Sequence, residues 1–201
     1  MYQAYGLYID GGWRPAADGG VKQVFDPATE TVLGEIPAAT TEDLDAAVAA
    51  AGKGLKTWRG TNPWERGARI RKVAELIRER VDDIARLMSA ETGKPLAEAV
   101  AETNASADQF EWYAEETKRI YGQTIEGRTP DVRMTVRYQP VGVVAAFSAW
   151  NFPALLPARK IAAALGASVA SASPLGEDDL THRVRPELRQ QFSWSDLLEI
   201  D

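Results

Sequence analysis

Residues 141–147 read Val-Gly-Val-Val-Ala-Ala-Phe, a run with no polar break, and a helix signal follows at once. A half-wet strand alternates apolar and polar side chains. An unbroken apolar run of this length reads instead as a strand covered on both faces in a parallel sheet. Asn151 is placed to cap the following helix, Pro153 falls in its first turn, and Leu155, Lys160, Ile161 and Leu165 recur at helical spacing. A buried strand feeding a helix is half of a βαβ unit, so the chain reads as α/β. Such sheets gather ligands at the carboxyl ends of their strands, here residues 147–151.

The segments before this unit divide into strands and helices. Residues 7–9 and Trp13 flank Asp10-Gly11-Gly12, a two-strand turn signal because glycine accepts positive φ. A second extended pair is expected over residues 22–25 and 31–36, turning at Asp26-Pro27-Ala28-Thr29. Three helices follow. The first starts near Thr40 or Thr41 with Leu44, Val48, Ala51 and Leu55 on one face. The second opens on Asn62-Pro63-Trp64-Glu65, a cap, a first-turn proline and a glutamate able to reach back, and carries a stripe of Ile70, Val73, Ile77, Val81, Ile84 and Leu87. Gly93 and Pro95 separate it from a third, with Leu96, Val100, Ala107, Phe110 and Tyr113 facing a core. Val132, Met134, Val136 and Tyr138 then alternate with Arg133, Thr135 and Arg137, the pattern of a half-buried strand.

Composition narrows the function classes. The net charge is −6, which argues against nucleic acid as a partner because phosphate binding needs clustered Lys and Arg. The locally basic stretch from Arg66 to Arg80 is interleaved with acids on a helix and reads as a solvated face. No uncharged run approaches the ~20 residues that span a bilayer, so no membrane partner is expected. Residues 1–5 lack the basic-then-apolar pattern of a secretory signal, and a cytoplasmic location is the default. The chain contains no cysteine and one histidine, which removes disulfides and thiolate metal sites; His182 with Asp178, Asp179 or Ser195 makes a poor hydrolase triad without a Gly-x-Ser-x-Gly elbow.

Four motifs stand in order along the chain: Tyr8-Ile9-Asp10-Gly11-Gly12-Trp13, Asp26-Pro27-Ala28-Thr29-Glu30, Glu91-Thr92-Gly93-Lys94-Pro95, and Pro140-x-Gly142-Val143 through Trp150-Asn151-Phe152-Pro153 with Lys160 beyond. Together they resemble the amino-terminal part of NAD(P)-dependent aldehyde dehydrogenases, over roughly the first five-sixths of the chain and fading after about Ala167. The resemblance implies part of a Rossmann-like cofactor domain. Residues 1–126 would be its amino-terminal β element and helices, 127–139 a projecting oligomerisation strand, 140–167 its first βα unit, and 168–201 a divergent tail. It also implies NAD or NADP as cofactor, a small-molecule aldehyde as substrate, and a homo-oligomer or association with full-length relatives as the assembly.

The same resemblance assigns roles. Asn151 would donate its side-chain amide to the oxyanion of the tetrahedral intermediate, a contribution of about 3 to 4 kcal/mol when preorganised. Local sequence alone gives it only a helix cap, worth about 1 kcal/mol. Phe147, Ser148, Ala149 and Trp150 would form the loop passing the nicotinamide ribose and pyrophosphate, or else a plain connection with Trp150 packed inward. Lys160 would serve a proton relay, or stand as a solvated helix lysine beside Arg159. No Gly-x-Gly-x-x-Gly occurs, but the resembled family binds its cofactor without that motif.

Family chemistry proceeds by cysteine thiolate attack on the aldehyde, hydride transfer to nicotinamide, and glutamate-assisted hydrolysis of the thioester. With no cysteine encoded, the chain is expected to be an amino-terminal piece, inactive alone. A noncatalytic module that joins full-length subunits, or a weak dinucleotide binder, are the alternatives. Beyond Ala167 a small, polar stretch replaces the expected returning strand, leaving residues 141–147 short of a sheet neighbour. Residues 176–201 lack periodicity, as a shifted reading frame would produce, with a short helix possible over 194–200.

Overall fold

The computed structural model describes residues 5–167 and 170–172. Asp10 and Gly11 both take positive φ (56° and 81°), the requirement of a tight type I′ turn, and join strands β1 (Leu7–Ile9) and β2 (Gly12–Arg14) as an antiparallel pair. Tyr8 sets its ring edge against Trp13, its cross-strand neighbour, with ring centroids 5.1 Å apart. β3 (Val21–Phe25) and β4 (Val32–Pro37) form a second antiparallel pair. The expected turn between them is present, with Asp26 Oδ1 accepting from the backbone of Ala28 at 2.7 Å.

Helix α1 (Thr41–Gly60) is capped by Thr40, whose hydroxyl accepts from Asp43 N while the Asp43 carboxylate accepts from Thr40 N. Asp43 is buried and also accepts from Arg14 Nη2 at 3.0 Å and Ala17 N at 3.0 Å, so one carboxylate ties the first hairpin to the first helix. Hydrogen bonds from the backbone of Thr40, then of Ala17, hold its carboxyl below the ordinary carboxylate range. The expected inward stripe of α1 needs correction. Leu44 and Val48 are 43% and 48% exposed, because α1 is met mainly by the short strands β1, β7 (Val143–Ala145) and β8 (Ala170–Ala172).

The second expected helix is two. Helix α2 (Pro63–Glu79) starts at Asn62, whose Oδ1 accepts from Glu65 N at 3.1 Å. It ends at Arg80, where ψ swings to 17°, and α3 (Val81–Thr92) resumes. Ile70, Val73 and Ile77 are buried as expected; across the break the inward positions pass to Ala85 and Met88, with Ile84 alongside. Gly93 closes α3 in the left-handed conformation at φ 71°, which a side chain would resist.

Helix α4 (Leu96–Glu116) packs along α2, and α5 (Leu155–Gly166) along α4, enclosing Phe110, Ile70, Ile77 and Met88. Leu96 is exposed, against expectation, because it begins the helix outside this contact. Arg66 is buried in the first turns of α2 and donates Nη1 to Thr61 O at 2.7 Å; burial pushes its guanidinium pKa down.

Sequence reading overlooked β5 (Gln123–Glu126), which pairs antiparallel with β6 (Arg133–Val136). Ile125 lies opposite Met134, and both strands are exposed throughout. The alternation at 132–138 therefore marks an apolar face of an exposed hairpin, not a half-buried strand. The unbroken apolar run forms only a short strand, β7 (Val143–Ala145), with Val141 and Phe147 beyond it and exposed. Val143 and Ala145 are exposed and Val144 is half-buried, so one face of the strand is left uncovered. Its neighbour is present, however: β8 (Ala170–Ala172) pairs with it in parallel, so the returning strand expected to be missing does form. The α/β class follows from this βαβ unit. His182 and residues 194–200 lie outside the described residues.

Candidate functional site

The carboxyl end of β7 opens into residues 146–154, which carry the expected site. Ala146 is buried where the strand ends, Phe147 and Ala149 are exposed, and Ser148 and Trp150 are half-buried. The Ser148 hydroxyl is enclosed with no hydrogen-bond partner among the described residues. Lys160, five residues into α5, donates its ammonium to the carbonyl of Phe147. Lys160 and the expected cofactor loop are thus brought together, through backbone rather than side chain. Among the described residues the Lys160 ammonium meets no acidic or basic side chain.

Asn151 does not cap the helix. α5 begins at Leu155, with Ala154 in the cap position, three residues later than the expected cap at Asn151. The cap comes from 52 residues earlier in sequence: Glu102 Oε1 accepts from Ala154 N at 2.9 Å and from Leu155 N at 3.1 Å. A carboxylate there answers the orphan N–H groups and the positive end of the helix at once. Relieved of capping, Asn151 is exposed, and its side-chain amide makes no hydrogen bond among the described residues. Its backbone carbonyl is held instead, accepting from Lys94 Nζ at 3.0 Å. Lys94 also ion-pairs with Glu102 and stands 4.6 Å from the centre of the Phe152 ring.

Glu102 and Lys94 escaped sequence reasoning, although both left signals. Glu102 shares a helix face with buried Ala99, Thr103 and Ser106, and a carboxylate on such a face demands a partner. Lys94 lies within the Glu91–Pro95 motif, after a glycine that turns the chain toward α4.

Known proteins show which family the chain belongs to. The sequence profile of the Aldehyde dehydrogenase family matches residues 13–170. The chain belongs to the aldehyde dehydrogenase family. It is 48% identical over 160 residues to a glutarate-semialdehyde dehydrogenase of Pseudomonas putida, covering 80% of this chain and 33% of that protein. A succinate-semialdehyde dehydrogenase [NADP(+)] of Escherichia coli is 45% identical over 159 residues, 79% of this chain and 33% of that one. Among solved structures, an NADP-dependent enzyme of E. coli superposes with a TM-score of 0.82 at 42% identity, over 84% of this chain and 35% of the other. An NAD-dependent aldehyde dehydrogenase from Sinorhizobium meliloti also gives 0.82, at 32% identity over 85% and 35%. The chain spans about a third of the length of the curated relatives it matches.

Proposed function

We propose that this chain supplies the amino-terminal, cofactor-side part of an enzyme that oxidises an aldehyde to a carboxylic acid with NAD or NADP, and that the 201-residue polypeptide does not turn over alone. The observation that carries the first half is the loop after β7, which presents Asn151 with a free side-chain amide at the end of a βαβ strand. The second half rests on the absence of any thiol from the sequence. In the whole reaction the aldehyde carbon gives up hydride, water supplies the carboxylate oxygen, and two protons leave. Asn151 stabilises the negative oxygen formed when a nucleophile adds to the carbonyl. The relatives' names carry glutarate and succinate semialdehydes, and the substrate class we assign is such an ω-semialdehyde.

A nicotinamide dinucleotide, when bound, accepts the hydride. The residues present fit it at one point: the Ser148 hydroxyl in the loop is enclosed without a partner among the described residues, and a small shift of the loop would open it to a ribose hydroxyl or a phosphate oxygen. Phe147, Ala149 and Trp150 supply backbone groups and a wall beside it. Lys160, engaged with the Phe147 carbonyl, holds that loop against α5 and is assigned no proton relay in the isolated chain. Calorimetric titration with NAD and NADP tests this reading. Weak saturable binding that is lost in Ser148→Val supports it; equal binding by both chains removes Ser148 from the site.

A second reading is favoured by the β5–β6 hairpin, whose Ile125, Met134 and Val136 stand exposed with no described element packed over them. The hairpin joins this chain to a second copy or to a full-length relative, edge to edge. Mixing with a purified relative and looking for mixed oligomers tests it. A cytoplasmic site of action accords with this chemistry, and among the described residues no helix is long and apolar enough to cross a membrane.

A further inference from the structure

The loop bearing Asn151 is gripped from outside its own unit. Glu102, on α4, has 2% of its side chain exposed, and Lys94, just before α4, has 13%. One carboxylate oxygen of Glu102 takes the N–H groups of Ala154 and Leu155, and the other takes the Lys94 ammonium. Lys94 spends a further hydrogen on the Asn151 carbonyl and faces the Phe152 ring. Charges this buried are retained only where each answers the other and their remaining bonding capacity is filled. Among the described residues, the hydrogen bonds and ring contact of the two charged groups beyond the ion pair land on residues 151–155. The grip therefore acts on both sides of Pro153: on the carbonyl of Asn151 before it and on the amides of Ala154 and Leu155 after it.

We propose that Glu102 and Lys94 are positioning residues that clamp the backbone of residues 151–155 and so aim the Asn151 amide. Any part they play in catalysis rests on the role given to Asn151 above, whereas the clamp itself is measurable without cofactor or substrate. The two residues have separable duties. Glu102 holds Ala154 and Leu155; Lys94 holds Asn151. Removing the carboxylate charge weakens the first hold and frees the lysine, so it disturbs both sides of Pro153. Removing the lysine releases the Asn151 side and leaves the Glu102 carboxylate without its counter-ion, with the Ala154 and Leu155 amides as its remaining hold.

The test is backbone amide NMR of the 201-residue chain and two variants, Glu102→Gln and Lys94→Met. Hydrogen bonds to a carboxylate shift amide protons downfield and slow their exchange. In Glu102→Gln the Ala154 and Leu155 amides should move upfield and exchange roughly tenfold faster, while core amides of Ile70 and Phe110 change less than about twofold. In Lys94→Met the Ala154 and Leu155 amides should keep their slow exchange while the Asn151 and Phe152 signals shift. Exchange that rises equally across α2, α4 and α5 in both variants would reduce the pair to general packing and overturn the proposal. If Glu102→Gln does not fold, the Lys94→Met pattern decides, and unchanged Asn151 and Phe152 signals overturn it. Loss of dinucleotide binding in the unsubstituted chain would sink the proposed function and leave these spectra unaffected.

Discussion

The indole Nε1 of Trp58 donates to the backbone carbonyl of Leu165 at 2.8 Å, joining the last turn of α1 to the last turn of α5 across 107 residues of sequence. The bond adds a side-chain donor to a last-turn carbonyl that otherwise takes only the Ala167 cap N–H, and it ties α1 to the βαβ unit. Trp58→Phe keeps a ring and removes the donor. It should lower unfolding free energy by about 1 kcal/mol, read by urea denaturation, with little change in helix content.

A closer contact binds α2 to α4. A Cβ placed on Gly67 would stand 2.7 Å from the carbonyl of Ala114, in α4's last turn, and 2.9 Å from the hydroxyl of Thr117, which caps that helix. Neither neighbour is the loose end of a long side chain. Gly67→Ala should cost about 1–3 kcal/mol in denaturant unfolding, even though alanine is the better helix former. A gain in stability would mean that the two helices do not approach this closely.

Much of the architecture is legible locally, and these two contacts show where that stops. The Asp10-Gly11 turn, the Thr40 and Asn62 caps and the Gly93 stop are each written within four residues, because their partners are neighbours in sequence. The break at Arg80 carries no Gly or Pro and leaves the apolar spacing running on, so one helix was expected where two form. The Asn-x-Pro pattern at 151–153 matched a helix start, but the cap that α5 uses comes from Glu102, far away in sequence. The run at 141–147 was read as covered on both faces from its composition, which reports what a strand tolerates rather than how many layers lie over it. At the candidate site, the strand-then-helix pattern locates Ser148 and Asn151 on the loop after β7, whereas nothing local joins Lys94 and Glu102 into the clamp behind them.

Acid should protonate Asp43 late, and at a cost in stability. Its folded-state pKa lies below the ordinary 3.8, held down first by the Thr40 backbone N–H and then by that of Ala17. A depressed carboxylate contributes stability above its unfolded pKa and loses it as pH falls through the folded value. The chain should therefore lose stability on acidification below about pH 4, and Asp43→Asn should be less stable at neutral pH with a flatter acid limb. Urea midpoints from neutral pH down to pH 3 would show it. Parallel curves for the two chains would mean that Asp43 is not the responsible group.

The β5–β6 face predicts association. Met134 faces Ile125 across the hairpin with nothing described above it, so Met134→Asp puts a charge where a second strand or subunit would pack. Sedimentation should show the unsubstituted chain in a larger species, alone or with a full-length relative, and the variant as a monomer. Equal sedimentation would assign the hairpin no role in assembly.

Steady-state assay of the purified 201-residue chain with succinate or glutarate semialdehyde and either dinucleotide, following the absorbance of reduced nicotinamide, bears most directly on the whole account. The prediction is no reduced cofactor above the enzyme-free rate, since nothing in the chain can attack the aldehyde as a thiolate. Sustained formation of NADH or NADPH that tracks this polypeptide through purification would contradict it.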